Sequence, residues 1–207
     1  MLVCGVDEAG RGSMLGPLVI AGVLIEKSKI SQLEKIGVKD SKQLSPKMRQ
    51  ELYKKILRIV DDYKISKATP RQIDLAVNRH KLNDLESINM AKVISYLKPS
   101  ISYVDSCDVN AARFGKEINK ITQRKIKSYH HADSKFVVVS AASIIAKVTR
   151  DNAISKINKK YPVGSGYPSD PKTVSFVKSW FSEHGKFPEY VRKSWAPSKL
   201  IMSQTLT

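Results

Sequence analysis

The stretch Met1-Leu2-Val3-Cys4-Gly5-Val6-Asp7-Glu8-Ala9-Gly10-Arg11-Gly12 runs from a short apolar strand straight into two acids and a glycine-bounded turn. A second apolar run, Leu15 to Ile25, follows at once, and together they predict a buried hairpin or a pair of central strands. Adjacent carboxylates at the end of a buried strand are costly unless a cation sits with them. Gly10 and Gly12 let the backbone turn tightly and approach a partner closely, with Arg11 between them to meet an anion. The stretch therefore reads as a metal site opening onto a phosphate-bearing ligand. A plain turn started by Asp7 competes with this reading. A phosphate-binding P-loop has the spacing of its first half in Gly5 and Gly10 but fails on chemistry. Arg11 and Gly12 stand where Lys and Ser or Thr belong, the two acids repel phosphate, and a strand follows where a helix is needed.

The chain has 207 residues, 42% of them hydrophobic, enough for one domain of ordinary size with a real core. Lys and Arg number 36 against 19 acids, a formal charge of +17, and nucleic acid is the leading partner on that ground. Cys4 and Cys107 are too few for a disulfide framework and read as buried thiols in a reducing compartment. The four histidines offer no zinc spacing with them. No signal peptide opens the chain and the Leu15 to Ile25 run is too short to span a bilayer, so the expectation is a soluble, cytoplasmic protein without membrane contact.

Along the chain, Ser31 to Ile36 predicts a short helix, and the loop Gly37 to Ser45 gathers Lys39, Asp40, Ser41 and Lys42. Lys42 is a candidate phosphate contact or a solvated lysine. Ser45 and Pro46 cap a helix to about Val60 with Met48, Leu52, Ile56 and Ile59 facing inward. Tyr63 to Thr69 reads as a strand, followed by a helix from Pro70 and a longer one ending before Pro99, on which Asp84 and Glu86 are surface charges. A strand over Ile101 to Val104 ends at Asp105, repeating the opening pattern of apolar strand then acid, in the place where α/β sheets bind ligands. Asp108 reads as the cap of a helix from Ala111. After a fifth strand, Lys125 to Tyr129, Asp133 precedes a long helix whose Ala141, Ala142 and Ala146 allow close packing, and it is equally a cap or a metal ligand. Lys147 and Arg150 share a face of that helix and point toward phosphate. Beyond a boundary near Pro162 come the loop Gly164-Ser165-Gly166-Tyr167 and short helices around Lys172 to His184 and Glu189 to Lys193. Tyr167 either stacks on a nucleotide or packs the appendage.

Asp-Glu-Ala-Gly-Arg-Gly at 7–12, Lys-Asp-Ser-Lys at 39–42, Val-Asp at 104–105, Ala-Asp at 132–133, Ser-Ala-Ala-Ser-Ile-Ile-Ala-Lys-Val at 140–148 and Gly-Ser-Gly-Tyr at 164–167 resemble ribonuclease HII over most of the chain and in order. Arg192, Ser194 and Trp195 extend the resemblance toward its archaeal branch. The resemblance implies an α/β RNase H-like fold, a five-stranded mixed sheet flanked by helices, with a catalytic domain over 1–162 and a C-terminal helical lobe over 163–207 that contributes to substrate binding. It implies that Asp7, Glu8, Asp105 and Asp133 are the catalytic, metal-binding acids. Gly10, Arg11 and Gly12 would form the loop that reads a ribose 2′-OH, and Tyr167 would stack on the sugar at the RNA–DNA junction. Lys42, and with it Lys39, Lys147 and Arg150, match basic positions near the substrate backbone. Met14 in the opening loop is a departure.

The chemistry of the acids fits that assignment separately. Two like charges about 4 Å apart repel by roughly 4 kcal/mol at an effective dielectric near 20, so four converging carboxylates call for divalent cations. All-oxygen ligands favour Mg²⁺ or Mn²⁺ over zinc, and two such ions activate a water and stabilise a leaving oxygen. The expected activity is endonucleolytic cleavage of RNA in RNA/DNA hybrids and 5′ of single ribonucleotides in duplex DNA, leaving 3′-OH and 5′-phosphate, for ribonucleotide and primer removal in replication and repair. A junction-cutting nuclease of the same fold and a non-catalytic nucleic-acid binder are the alternatives. The expected state is a monomer. The tail Ser203 to Thr207 resembles the start of a sliding-clamp-binding peptide but lacks its aromatic pair.

Overall fold

Apolar runs and the turns between them produce five strands: β1 (Leu2–Ala9), β2 (Leu18–Glu26), β3 (Asp62–Ala68), β4 (Ile101–Asp105) and β5 (Ile126–Tyr129). They form one mixed sheet in the order β3-β2-β1-β4-β5. β1 is central, antiparallel to β2 with Val6 opposite Gly22, and parallel to β4 with Val6 beside Val104. β4 is in turn parallel to β5. Three carboxyl ends, those of β1, β4 and β5, therefore emerge along one edge. The computed structural model describes residues 1–38 and 44–205, the last by its backbone alone.

Helices intervene in chain order: α1 (Ile30–Lys35), α2 (Pro46–Ile59), α3 (Pro70–Asn78), α4 (Leu82–Leu97), α5 (Ala111–Thr122), α6 (Ala132–Lys135), α7 (Val137–Asn158), α8 (Pro171–His184) and α9 (Ala196–Thr205). Capping sets several starts. Ser45 accepts from Met48 N–H, and Thr69 and Gln72 form a capping box ahead of Pro70. The described chain divides into two units. The first holds Met1–Ala9, Val19–Lys67 and Asn83–Val148, and the second Gly10–Leu18, Ala68–Leu82 and Thr149–Thr207.

In the first unit the sheet carries helices on both faces. A methyl on Gly5 would fall 2.2 Å from the Val138 carbonyl, so α7 backbone lies directly on β1 there. A methyl on Gly22 would meet Val93 of α4 at 2.4 Å, on the opposite face. Val139, Ala141, Ala142, Ile144 and Ile145 pack with the apolar residues of β1 and β2 into one core. The second unit has its own core of Met14, Leu15, Ile154, Val163, Val177, Phe181, Phe187, Val191 and Ile201. Met14, the departure in the opening loop, is fully buried in it.

Several expectations are corrected. Met48 is 51% exposed, because it lies in the first turn of α2, while Leu52 and Ile56 are buried. Glu86 is fully buried on α4 and is no surface charge. Asn110, not Asp108, caps α5 by accepting from Arg113 N–H. Glu189 to Lys193 is a turn leading into a bridge between Val191 and Leu15, not a helix, and α9 follows it. Cys4 is buried, with its thiol pushed up to about 12 by burial against a smaller opposing effect of the Ser102 hydrogen bond, but Cys107 is half-buried. Among the described residues no helix is long and apolar enough to cross a membrane.

Candidate active site

Asp7 and Glu8 lie within β1 and not after it, opposite Ala21 and Ile20 of β2. Alternation places Asp7 on the Gly5 face, toward α7, and sends Glu8 the other way. Asp7 is 4% exposed. Its Oδ1 accepts the Glu8 N–H at 2.7 Å, and it bonds the Ser143 hydroxyl of α7. Asp105 ends β4, the strand beside β1, one step past the Val6–Val104 pair. Asp105 Oδ1 accepts the Ala132 N–H at 2.6 Å, which fastens the start of α6 to the end of β4. Asp133, largely buried, is the next residue of α6; it is neither a cap nor outside the helix.

Asp7 senses the other two acids. The Asp7 carboxyl is raised to about 7, first by burial, then by the charge of Asp105 and to a lesser degree Asp133, against the Ser143 and Glu8 hydrogen bonds that lower it. The charges acting on Asp7 are those of Asp105 and Asp133; Glu8 contributes its backbone N–H. Among the described residues no three His, Cys, Asp or Glu side chains already close into a metal cage. The donor set is nonetheless all oxygen, and the burial and neighbouring negative charge that raise the Asp7 carboxyl are what a hard divalent cation offsets. The acids fit such an ion.

In the second unit, Gly10 turns at φ +87°, and Ser13 donates to its carbonyl through both backbone N–H (3.2 Å) and hydroxyl (2.8 Å). Met14 and Leu15 N–H donate to the Gly166 carbonyl at 2.8 and 3.1 Å, joining the opening loop to the Gly164–Tyr167 loop. Gly166, also at positive φ, donates its N–H to the Thr173 hydroxyl. Arg192 is fully buried; its Nη1 donates to the Arg11 carbonyl at 2.8 Å and its Nε to the Gly16 carbonyl at 3.1 Å. Among the described residues nothing lies within 4 Å of a Cβ placed on Gly12, which leaves that backbone clear for a partner. Tyr167 is half-buried, with Arg150 under its ring at 4.2 Å. Gly10, Arg11, Gly12, Arg150 and Tyr167 thus share this unit.

The ribonuclease HII model matches residues 4–198. The chain belongs to the ribonuclease HII family. A ribonuclease HII from Cenarchaeum symbiosum is 53% identical over 201 residues, which covers 97% of this chain and 98% of that relative. The crystal structure of ribonuclease H2 from Pyrococcus horikoshii OT3 aligns over 100% of both chains with a TM-score of 0.94 and 43% identity. The PCNA:RNase HII complex from Archaeoglobus fulgidus aligns over 94% of this chain and 95% of that one, with a TM-score of 0.88 and 40% identity. The α/β fold with a five-stranded mixed sheet is shared, and the chain is a type 2 ribonuclease H, a metal-dependent endonuclease.

On α7, Lys147 is half-buried and Arg150 is 1% exposed. Lys39 and Lys42 lie outside the described residues. Ser143 and Arg192 were missed as parts of the site. Both lie in stretches that carry the family resemblance, Ser143 within 140–148 and Arg192 beside Ser194 and Trp195, but neither residue type by itself signals a role in holding an acid or a loop.

Proposed function

We propose that Asp7, Glu8, Asp105 and Asp133 hold two divalent cations, Mg²⁺ or Mn²⁺, and that the Gly10–Arg11–Gly12 backbone and Tyr167 read the sugars of an RNA/DNA hybrid or of duplex DNA containing ribonucleotides. The observation that carries it is the electrostatic coupling of Asp7 to Asp105 and Asp133 at the carboxyl edge of the sheet. Bound divalent cations supply an activated water and charge for the leaving oxygen of the phosphodiester. Asp7 contributes a buried carboxylate oriented by Ser143 and the Glu8 N–H, and Asp105 one oriented by the Ala132 N–H. The open backbone at Gly12 lets a ribose 2′-OH be tested by peptide groups, and the Tyr167 ring accepts a deoxyribose on the 3′ side while excluding a 2′-OH there. Cleavage then falls 5′ of a lone ribonucleotide and leaves 3′-OH and 5′-phosphate, the reaction of ribonucleotide and primer removal.

Lys42 and Lys147 hold the substrate backbone, segment 163–207 serves as a substrate-binding lobe, and the chain works as a monomer in the cytoplasm, where its DNA substrate is. The Archaeoglobus fulgidus relative forms a complex with PCNA, which supports a sliding-clamp contact here. The test is a labelled duplex with one ribonucleotide, beside an all-DNA duplex and a long hybrid, with Mg²⁺ or Mn²⁺. Asp7→Asn and Asp105→Asn should abolish cleavage, and Tyr167→Ala should lose the single-ribonucleotide reaction far more than hybrid cutting. Cleavage of the all-DNA control at the same rate, or wild-type rates in either Asn variant, overturns the reading.

A further inference from the structure

Arg150 is an unusual place to keep a charge. Its side chain is among the largest fully buried ones, and its stem and head fill the space beside two glycines. A methyl on Gly10 would meet Arg150 Cγ at 3.2 Å, and one on Gly166 would meet Arg150 Nη2 at 2.7 Å. Nη1 pairs with Asp151 at 3.2 Å, while among the described residues Nε and Nη2 meet no hydrogen-bond acceptor. What the guanidinium has instead is the Tyr167 ring, 4.2 Å from Cζ to centroid. A planar, weakly hydrated cation lies well against an aromatic face, and burial strengthens the attraction.

We propose that Arg150 is a positioning residue for Tyr167: it is the platform that sets the height and tilt of the ring and thereby the discrimination between ribose and deoxyribose at the cut. Buried to this degree, it supports the reader of the substrate and is not itself a phosphate contact. Because the same side chain occupies the space next to Gly10 and Gly166, the 2′-OH-testing turn and the tyrosine loop rest on one support. A lysine at 150 keeps the charge and the stem but not the plane, so it should leave the ring unsupported. The proposal rests on the reading of Tyr167 as the sugar-testing ring.

The experiment measures kcat and KM on the single-ribonucleotide duplex and on a long hybrid for wild type, Arg150→Lys, Tyr167→Phe, Tyr167→Ala and the Arg150→Lys/Tyr167→Ala double variant. Arg150→Lys should lower the ratio of single-ribonucleotide to hybrid kcat/KM by about tenfold, the scale of a desolvated cation–π contact. Tyr167→Phe keeps the ring and should keep the ratio. In the Tyr167→Ala background, Arg150→Lys should change it less than about twofold, since a shared unit is non-additive. Equal loss on both substrates, or a full additional tenfold in the double variant, overturns the proposal. If Tyr167→Ala leaves the ratio unchanged, the reading of the tyrosine fails, and the melting temperatures of wild type, Arg150→Lys, Tyr167→Ala and the double variant decide the platform: additive shifts overturn it and non-additive shifts uphold it. Should Arg150→Lys not fold, Asp151→Asn, which frees one side of the guanidinium, should lower the ratio in the same direction, and an unchanged ratio there overturns the proposal.

Discussion

Gly5 of β1 and Val138 of α7 touch backbone to backbone, so closely that a methyl on Gly5 would sit 2.2 Å from the Val138 carbonyl carbon and oxygen. Neither partner has a flexible end that can move aside. Gly5→Ala should therefore cost about 3 kcal/mol, the upper range for overpacking a core, and lower the melting temperature by roughly 6–12 °C. Because Asp7 lies two residues on along the same face and is oriented by Ser143 of α7, cleavage should fall too. A variant with wild-type melting and activity would show that the contact is not tight.

Asp7 gives a pH dependence that can be worked through. Its carboxyl is raised from 3.8 to about 7, mainly by burial and then by Asp105, so between those values the folded chain holds a proton the unfolded chain releases. Without metal, stability falls as pH rises from about 4 to 7 and then levels. A displacement of that size is worth about 4 kcal/mol, and losing the carboxylate's hydrogen bonds offsets about half. In chelator, Asp7→Asn should thus melt higher than wild type at pH 8 and match or fall below it at pH 4. Added Mg²⁺ should raise the melting temperature of wild type more than that of the variant. An equal gain at both pH values would contradict the account.

Arg192 holds two carbonyls of the opening loop, those of Arg11 and Gly16, from a fully buried position against Trp195. Arg192→Lys cannot span both. It should cost about 2–3 kcal/mol and depress cleavage of the single-ribonucleotide duplex, as read by thermal melting and initial rates.

At the acidic end, Asp108 is held at about 2 by Arg113 first, then by the Asn110 N–H and Asn83, against its burial. A depressed carboxyl contributes stability that is complete above about pH 4 and lost as pH falls through 2. Asp108→Asn should melt a few degrees below wild type at pH 6, and the gap should close by pH 2. A gap that persists at pH 2 would assign the effect to packing.

Much of this was readable from residues. The apolar runs gave β1 and β2, and strand-then-acid twice over singled out Asp7 and Asp105. What failed was whatever depends on a neighbour from elsewhere in the chain. Glu86 looks like a helix-surface charge by composition, yet it is fully buried, because the buried side of α4 is wide and takes in Ser87 and Asn89 as well as Met90, Val93 and Ile94. Asp108 and Asn110 are both good caps, and the choice was made by Arg113, whose N–H goes to Asn110 and whose guanidinium goes to Asp108. Glu189 to Lys193 was drawn out of helix by pairing with Leu15. Arg150 shares a helical face with Lys147 by spacing, but the two glycine turns packed against it decide that it is buried.

The tie from Arg192 to Arg11 joins residues 181 positions apart. A ribosome releases the acids of β1, β4 and α6 well before it releases Arg192, and at ordinary elongation speeds the interval between Arg11 and its partner is on the order of ten to forty seconds. Throughout that time the nascent chain has its carboxylates but not the clasp on the loop that follows them. The clasp on the opening loop is therefore a late tie in synthesis, and a message cut short before the codon for Arg192 would yield a protein with the acids and without the clasp.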